Sequence, residues 1–232
     1  MRKPILRSGL VLFFLLMANS RGASGQGIDS PYRFVSSRQA AMVFAGYLST
    51  GKGSLGLGPA SGPIWGARYN LMISGPFALE GDVGYFSRTR AVFDTVPGDT
   101  TRQAIGDVDF SLVIATASLR FNLTGPRTWR GLLPYLVFGA GAAANIATDQ
   151  APDTELPGEV RFNFGTSFLG QLGGGIEWLA GERLGIRVDA RNVLWKLKTP
   201  RAFLIKGEQA RLLPADEWAQ NFSLTAGLVL RF

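Results

Sequence analysis

Residues 221–232 read NFSLTAGLVLRF, a strict two-residue alternation. Side chains of an extended strand point to opposite faces in turn. Phe222, Leu224, Ala226, Leu228, Leu230 and Phe232 therefore share one wholly apolar face. Asn221, Ser223, Thr225, Gly227, Val229 and Arg231 share the other, which is mostly small or polar. A strand of this kind fits a wall with lipid on one side and a polar interior on the other. A strand closing a soluble sandwich shows a similar alternation, so the rest of the chain has to decide between them.

Within this stretch Thr225, Gly227, Leu230 and Phe232 follow the spacing polar, any, Gly, any, any, apolar, any, aromatic, and the sequence stops on the aromatic. That spacing resembles the C-terminal insertion signal of bacterial outer-membrane barrels. The chain is thus similar to the small outer-membrane β-barrels of the OmpA, OmpX and OmpW kind. The resemblance implies an all-β, eight-stranded antiparallel transmembrane up-and-down barrel in the bacterial outer membrane. It also implies the barrel-assembly machinery, outer-membrane lipid and lipopolysaccharide as partners, and a monomeric state.

The N-terminus agrees with export. Arg2, Lys3 and Arg7 precede an apolar run over 10–18, and Ala23-Ser24-Gly25 offers small residues for cleavage before Gln26. The run is too short for the roughly 20 apolar residues of a spanning helix, so residues 1–25 read as a cleaved secretory leader. The chain has 24 basic and 17 acidic residues. The leader holds four of the basic ones, which leaves 20 against 17, a net charge of +3. A balance of this size does not point to nucleic acid.

Residues 26–36 read as a short, loosely ordered periplasmic lead-in, and residues 37–232 as the barrel. Strand-like segments are expected at 38–48, 63–73, 77–89, 108–123, 133–148, 162–179 and 183–197, with the terminal strand as the eighth. The breaks between them alternate between long and short. Long loops are expected at 49–62, 92–107, 149–161 and 198–218, and short turns at 74–76, 124–132 and 180–182. An antiparallel barrel with both termini in the periplasm puts the turns there and the loops outside. A sandwich has no reason to alternate in this way. The strands exceed the roughly 9 to 11 residues a tilted strand needs to cross a bilayer, so they have length to project beyond it.

Aromatic residues are expected in two interfacial rings. Phe77, Phe121, Tyr135, Trp178 and Phe232 fall near the turns, and Trp65, Tyr85, Phe164, Trp195 and Phe222 towards the loops. The small-residue run at 133–148 leaves the phase of its strand ambiguous.

The polar faces collect Arg68, Glu80, Asp82, Arg120, Glu177, Arg187, Asp189, Arg191 and Arg231. An eight-stranded barrel is just wide enough inside for side chains to fill it. Charges there must pair or be hydrated, because unpaired burial is costly. The expected result is a lumen plugged by ion pairs. Counting across the turn at 74–76 sets Arg68 opposite Asp82 and Asn70 opposite Glu80, with Arg120 adding a cation beside the same carboxylates. The chain contains no His and no Cys. Catalysis by a histidine base, a cysteine nucleophile or the common zinc ligands is therefore excluded. The expectation is a non-enzymatic barrel without catalytic, cofactor or metal residues, serving a structural or surface-interaction role through four long loops. The alternative is an OmpW-like narrow channel for small apolar solutes. Gly- and Ala-rich segments in the fifth and sixth strands could open the wall for it, while Gly173-Gly174-Gly175 reads as a place for bending or close packing.

Overall fold

A computed structural model describes residues 30–95, 102–201 and 214–232. The expected leader, the start of the lead-in at 26–29 and parts of two loops, 96–101 and 202–213, lie outside the described residues. The compact unit that holds every strand begins at Tyr32.

Eight long strands close on themselves among the described residues. They are β2 (Gln39–Ser49), β3 (Gly62–Ser74), β4 (Phe77–Thr95), β5 (Arg102–Asn122), β7 (Leu132–Asn145), β8 (Thr166–Leu179), β9 (Leu184–Lys198) and β10 (Asp216–Arg231). Each pairs antiparallel with its neighbours in sequence, and β10 pairs with β2 to close the ring. At that seam the Phe232 N–H donates to the Gln39 carbonyl at 3.0 Å, and the Gln39 N–H returns a bond to the Phe232 carbonyl at 3.2 Å. Closure leaves no long strand with an open edge. The wall between β7 and β8 is paired without a break from Leu132↔Trp178 to Ala144↔Thr166.

Two shorter strands depart from expectation. In the supposed loose lead-in, β1 (Tyr32–Phe34) pairs with β6 (Arg127–Trp129), which lies inside the supposed turn at 124–132. The 92–107 loop is also mostly strand: β4 and β5 stay paired up to Thr95↔Arg102, and only residues 96–101 remain between them. This hairpin is the longest among the described residues, with 19 and 21 residues in its strands. Its composition supports extension, since Val92, Phe93, Ile105 and Val108 favour strands.

Along β4, Phe77, Leu79, Val83 and Tyr85 point outward, and Glu80 and Asp82 inward. Past Tyr85 the outward row becomes Ser87 and Thr89, while Phe86 joins the inward one. On β5 the outward row passes from Phe121, Leu119, Ala117, Ala115 and Val113 to Ser111, Asp109 and Asp107. Its inward row passes from Arg120, Ser118 and Thr116 to Ile114, Leu112 and Phe110. The outer apolar band from Phe77 to Tyr85 has about the length of a tilted membrane-crossing strand.

Candidate functional site: the barrel interior

The nine charged residues expected on the inner faces are all buried. They fall into two groups.

The larger group lies at mid-barrel. Arg187 on β9 reaches Glu80 on β4 at 2.7 Å, and Arg191 reaches the other Glu80 oxygen at 2.6 Å. Arg191 also lies 3.1 Å from Asp189 and 3.3 Å from Asp82. Arg68 on β3 meets Asp189 at 2.6 Å and donates to the Thr225 hydroxyl at 3.4 Å. Asp82 accepts from the Thr116 hydroxyl at 2.5 Å, and the Gln171 amide bonds Thr116 and Ser118 at 2.7 Å each.

The smaller group lies towards the turns. Arg120 and Arg231 both clamp Glu177, at 3.0 and 2.7 Å. Tyr135 joins the two groups. Its hydroxyl donates to Asp189 and accepts from Arg187 at 2.6 Å. Two guanidinium groups lie over its ring, Arg120 at 3.8 Å and Arg187 at 4.4 Å from the centroid. Cations over an aromatic face are attracted by its quadrupole.

The register across the first turn is Arg68↔Asp82 and Asn70↔Glu80, as counting predicts. The partners differ from that count. Arg68 pairs with Asp189, and Arg120 pairs with Glu177 rather than with Glu80 and Asp82. Directly opposed residues have Cβ atoms only ~5 Å apart, so an extended arginine overshoots its neighbour. In a narrow closed barrel it reaches a non-adjacent strand across the lumen instead.

Three aromatic residues expected in the outer rings point inward: Tyr135, Phe164 and Trp195 are 1%, 3% and 0% exposed. Tyr135 belongs to the ambiguous strand, whose inward row is Leu133, Tyr135 and Val137. It sits opposite Gly175, where an added Cβ would collide with the Tyr135 hydroxyl. A glycine facing a large residue was the available signal for its direction. Phe164 precedes β8, and Gly165 at φ +56 separates it from the strand, so it does not follow that strand's outward stripe. Trp195 shares the parity of Arg187 and Arg191.

Towards the loops the interior becomes apolar. Phe164 packs edge-on against Phe110 and Trp195, at centroid distances of 5.4 and 6.1 Å. Leu48, Phe86, Leu112, Leu169 and Leu197 are buried in the same cluster. Where it meets the charges there is a cavity of about 30 Å³ between Phe44, Ile64, Ile114, Arg68, Asp82 and Arg191. That volume holds about two water molecules. Above the apolar cluster a charged layer was not anticipated: Arg90 pairs with Asp153 at 2.6 Å, and Arg161 with Asp149 at 2.6 Å. They border a depression of about 200 Å³ that also includes Asp109, Asn145 and Phe162.

The residues of the expected insertion signal sit on both faces of β10. Thr225 and Gly227 face inward, while Leu230 and Phe232 are half-exposed on the outer wall. The Phe232 ring lies 6.5 Å from that of Tyr69.

No protein-family model matches the chain, and no curated protein matches it. Among solved structures it is similar to Neisserial surface protein A (NspA), with 14% identity over 84% of this chain and 97% of that one, at a TM-score of 0.53. The outer membrane protein OprG from Pseudomonas aeruginosa matches at 13% identity over 84% and 97% of the two chains, with a TM-score of 0.48. The E. coli Outer Membrane Protein W matches at 13% over 85% and 100%, with a TM-score of 0.39. At these identities likeness speaks for fold, and the first of the three carries it. With the closed ring of eight antiparallel strands, it gives the chain the fold of the small OmpA/OmpX/OmpW-like outer-membrane barrels.

Proposed function

We propose that this chain is a monomeric outer-membrane barrel with a structural or surface-interaction role, its lumen closed by its own side chains. The observation that carries this reading is the buried charge network. Its five arginines and four carboxylates span the interior through non-adjacent strands. Glu80, Glu177, Arg187 and Asp189 are at most 2% exposed. A passage for solute would have to break several of these pairs and then part the apolar cluster above them. Breaking a buried pair leaves an uncompensated charge, at a cost of about 3 to 5 kcal/mol.

The leader at 1–25 would direct export. Outer-membrane lipid and lipopolysaccharide would then surround the apolar outer band, and the loop end would be presented outside. Thr225, Gly227, Leu230 and Phe232 would be read by the barrel-assembly machinery. The narrow-channel alternative has two observations against it: the unbroken pairing of β7 with β8 and the small size of the cavity below the apolar cluster.

The test is current through a planar bilayer holding the purified protein, paired with sucrose-gradient fractionation of cells. The reading predicts outer-membrane fractions, heat-modifiable gel mobility and no steady conductance. A stable, ion-selective channel would overturn the closed lumen and favour transport.

A further inference from the structure

The ribbon of β1 and β6 lies at the turn end of the barrel. Tyr32 stands opposite Trp129, Arg33 opposite Thr128 and Phe34 opposite Arg127. Opposed residues of an antiparallel pair share a face, so Tyr32, Phe34, Arg127 and Trp129 lie together. The other face turns Thr128 towards the protein, leaving it 3% exposed. The aromatic face is open, with Phe34 69%, Tyr32 49% and Trp129 44% exposed. It also runs into the outer wall of the barrel. Tyr32 and Arg127 border the same depression as Leu123, which is itself 54% exposed and continues the outward row of Leu119 and Phe121.

Arginines accompany these rings. The Arg127 guanidinium lies 4.5 Å from the Phe34 ring centroid, and that of Arg130 lies 5.5 Å from Trp129. Arg33, opposite Thr128, belongs to the ribbon's other face. Arg130 has φ +50 and Gly131 φ +81, two left-handed residues between the paired Trp129 and Leu132. Tight hairpin turns normally place Asn, Asp or Gly there, because other side chains are strained. The turn carries an arginine despite that strain, and it sets a cation beside Trp129.

We propose that this ribbon is an interfacial anchor. Its aromatic face lies in the headgroup region of the phospholipid leaflet bordering the turn end, and Arg127 and Arg130 bind headgroup phosphates. The proposal rests on the membrane reading given above. Tyr and Trp prefer the membrane–water boundary, and arginine combines an apolar stem with a fork that matches phosphate. Continuity with the apolar wall distinguishes this face from one made for a soluble partner. A protein partner would leave the ribbon in water when lipid is the only other component.

The absence of cysteine allows single nitroxide labels in otherwise native protein. Labels at Phe34→Cys, Leu228→Cys and Glu159→Cys would be compared in vesicles of phosphatidylethanolamine and phosphatidylglycerol. Collision with oxygen reports lipid, and collision with a water-soluble nickel chelate reports water. Position 228 should be dominated by oxygen and position 159 by nickel. Position 34 should lie between them, at the depth of the headgroup boundary. Tyr32→Cys gives the same reading without loss of Phe34. Replacing Arg127 and Arg130 with serine should raise nickel collisions at position 34 several-fold. Lipid contact at 228 with full water exposure at 34 and 32 would overturn the anchor alone. Water exposure at 228 would overturn the membrane reading and the anchor with it. An unchanged depth in the double serine variant would overturn the role of the arginines.

Discussion

The turn half and the loop half of this barrel use one backbone phase with opposite chemistry. Below Tyr85 and Val113, β4 and β5 set apolar residues outside and charged ones inside. Above that level Ser87, Thr89, Asp107 and Asp109 are outside, while Phe86, Phe110 and Leu112 are inside. The upper half is thus built like a soluble protein, with a packed apolar core. In the lower half the exposed wall is apolar, which suits lipid and not water. Alternation fixes which residues share a face, while the surrounding solvent decides what that face must be made of. Tyr85 and its neighbour Trp65, with rings 5.4 Å apart, mark the change of level on the outside.

The two interiors should separate most sharply under mutation. Glu80→Ala strips two arginines of a partner and should cost about 3 to 5 kcal/mol in detergent unfolding. Trp195→Ala opens a cavity and should also cost about 3 to 5 kcal/mol. The rescues differ. Glu80→Gln keeps the shape and loses the charge, so it should recover little, whereas Trp195→Phe should recover much of the loss. Equal rescue at both sites would remove the distinction.

The outer walls give the next comparison. Leu228→Arg, in the proposed lipid band, should cost roughly 2 to 4 kcal/mol when the protein folds into bilayers. Thr89→Arg, outward on the projecting hairpin beside Asp109, should stay within about 0.5 kcal/mol. Similar costs at both positions would mean that the two walls face one solvent.

A smaller effect probes the lower interior alone. A double-mutant cycle on Arg68→Ala and Asp189→Ala should give a coupling of about 0.5 to 3 kcal/mol. The cycle on Arg68→Ala and Asp82→Ala should be closer to additive, although those two residues are the cross-strand pair. The reverse order would contradict pairing across the lumen.

Much of this fold was legible in the sequence. Period-two alternation and the long and short breaks locate eight strands, and parity assigns the nine charges of the lower interior to the inside, while the buried Arg90 and Asp153 are missed. The ion-pair partners were not legible, because counting across a turn finds wall neighbours and not the residue that an arginine meets across the lumen. Tyr135 was hidden by the small residues around it, which give β7 no phase of its own. The tip of the β4–β5 hairpin reads as loop over 92–107 for a related reason. Its Asp94, Gly106 and Asp107 resemble loop composition until the pairing shows them to be strand. Nothing in the short YRF stretch at 32–34 signals pairing, since its partner lies far along the chain at 127–129.

The change of solvent along one continuous wall can be read residue by residue. A scan of single cysteines along the outward row of β5, at 107, 109, 111, 113, 115, 117 and 119, tests it in intact outer membranes with a water-soluble, membrane-impermeant maleimide. Rapid labelling is expected at 107 and 109, a fall between 111 and 113, and protection from 115 to 119. Labelling that is uniform along the row, or that falls in the opposite direction, would contradict a wall that passes from water into lipid.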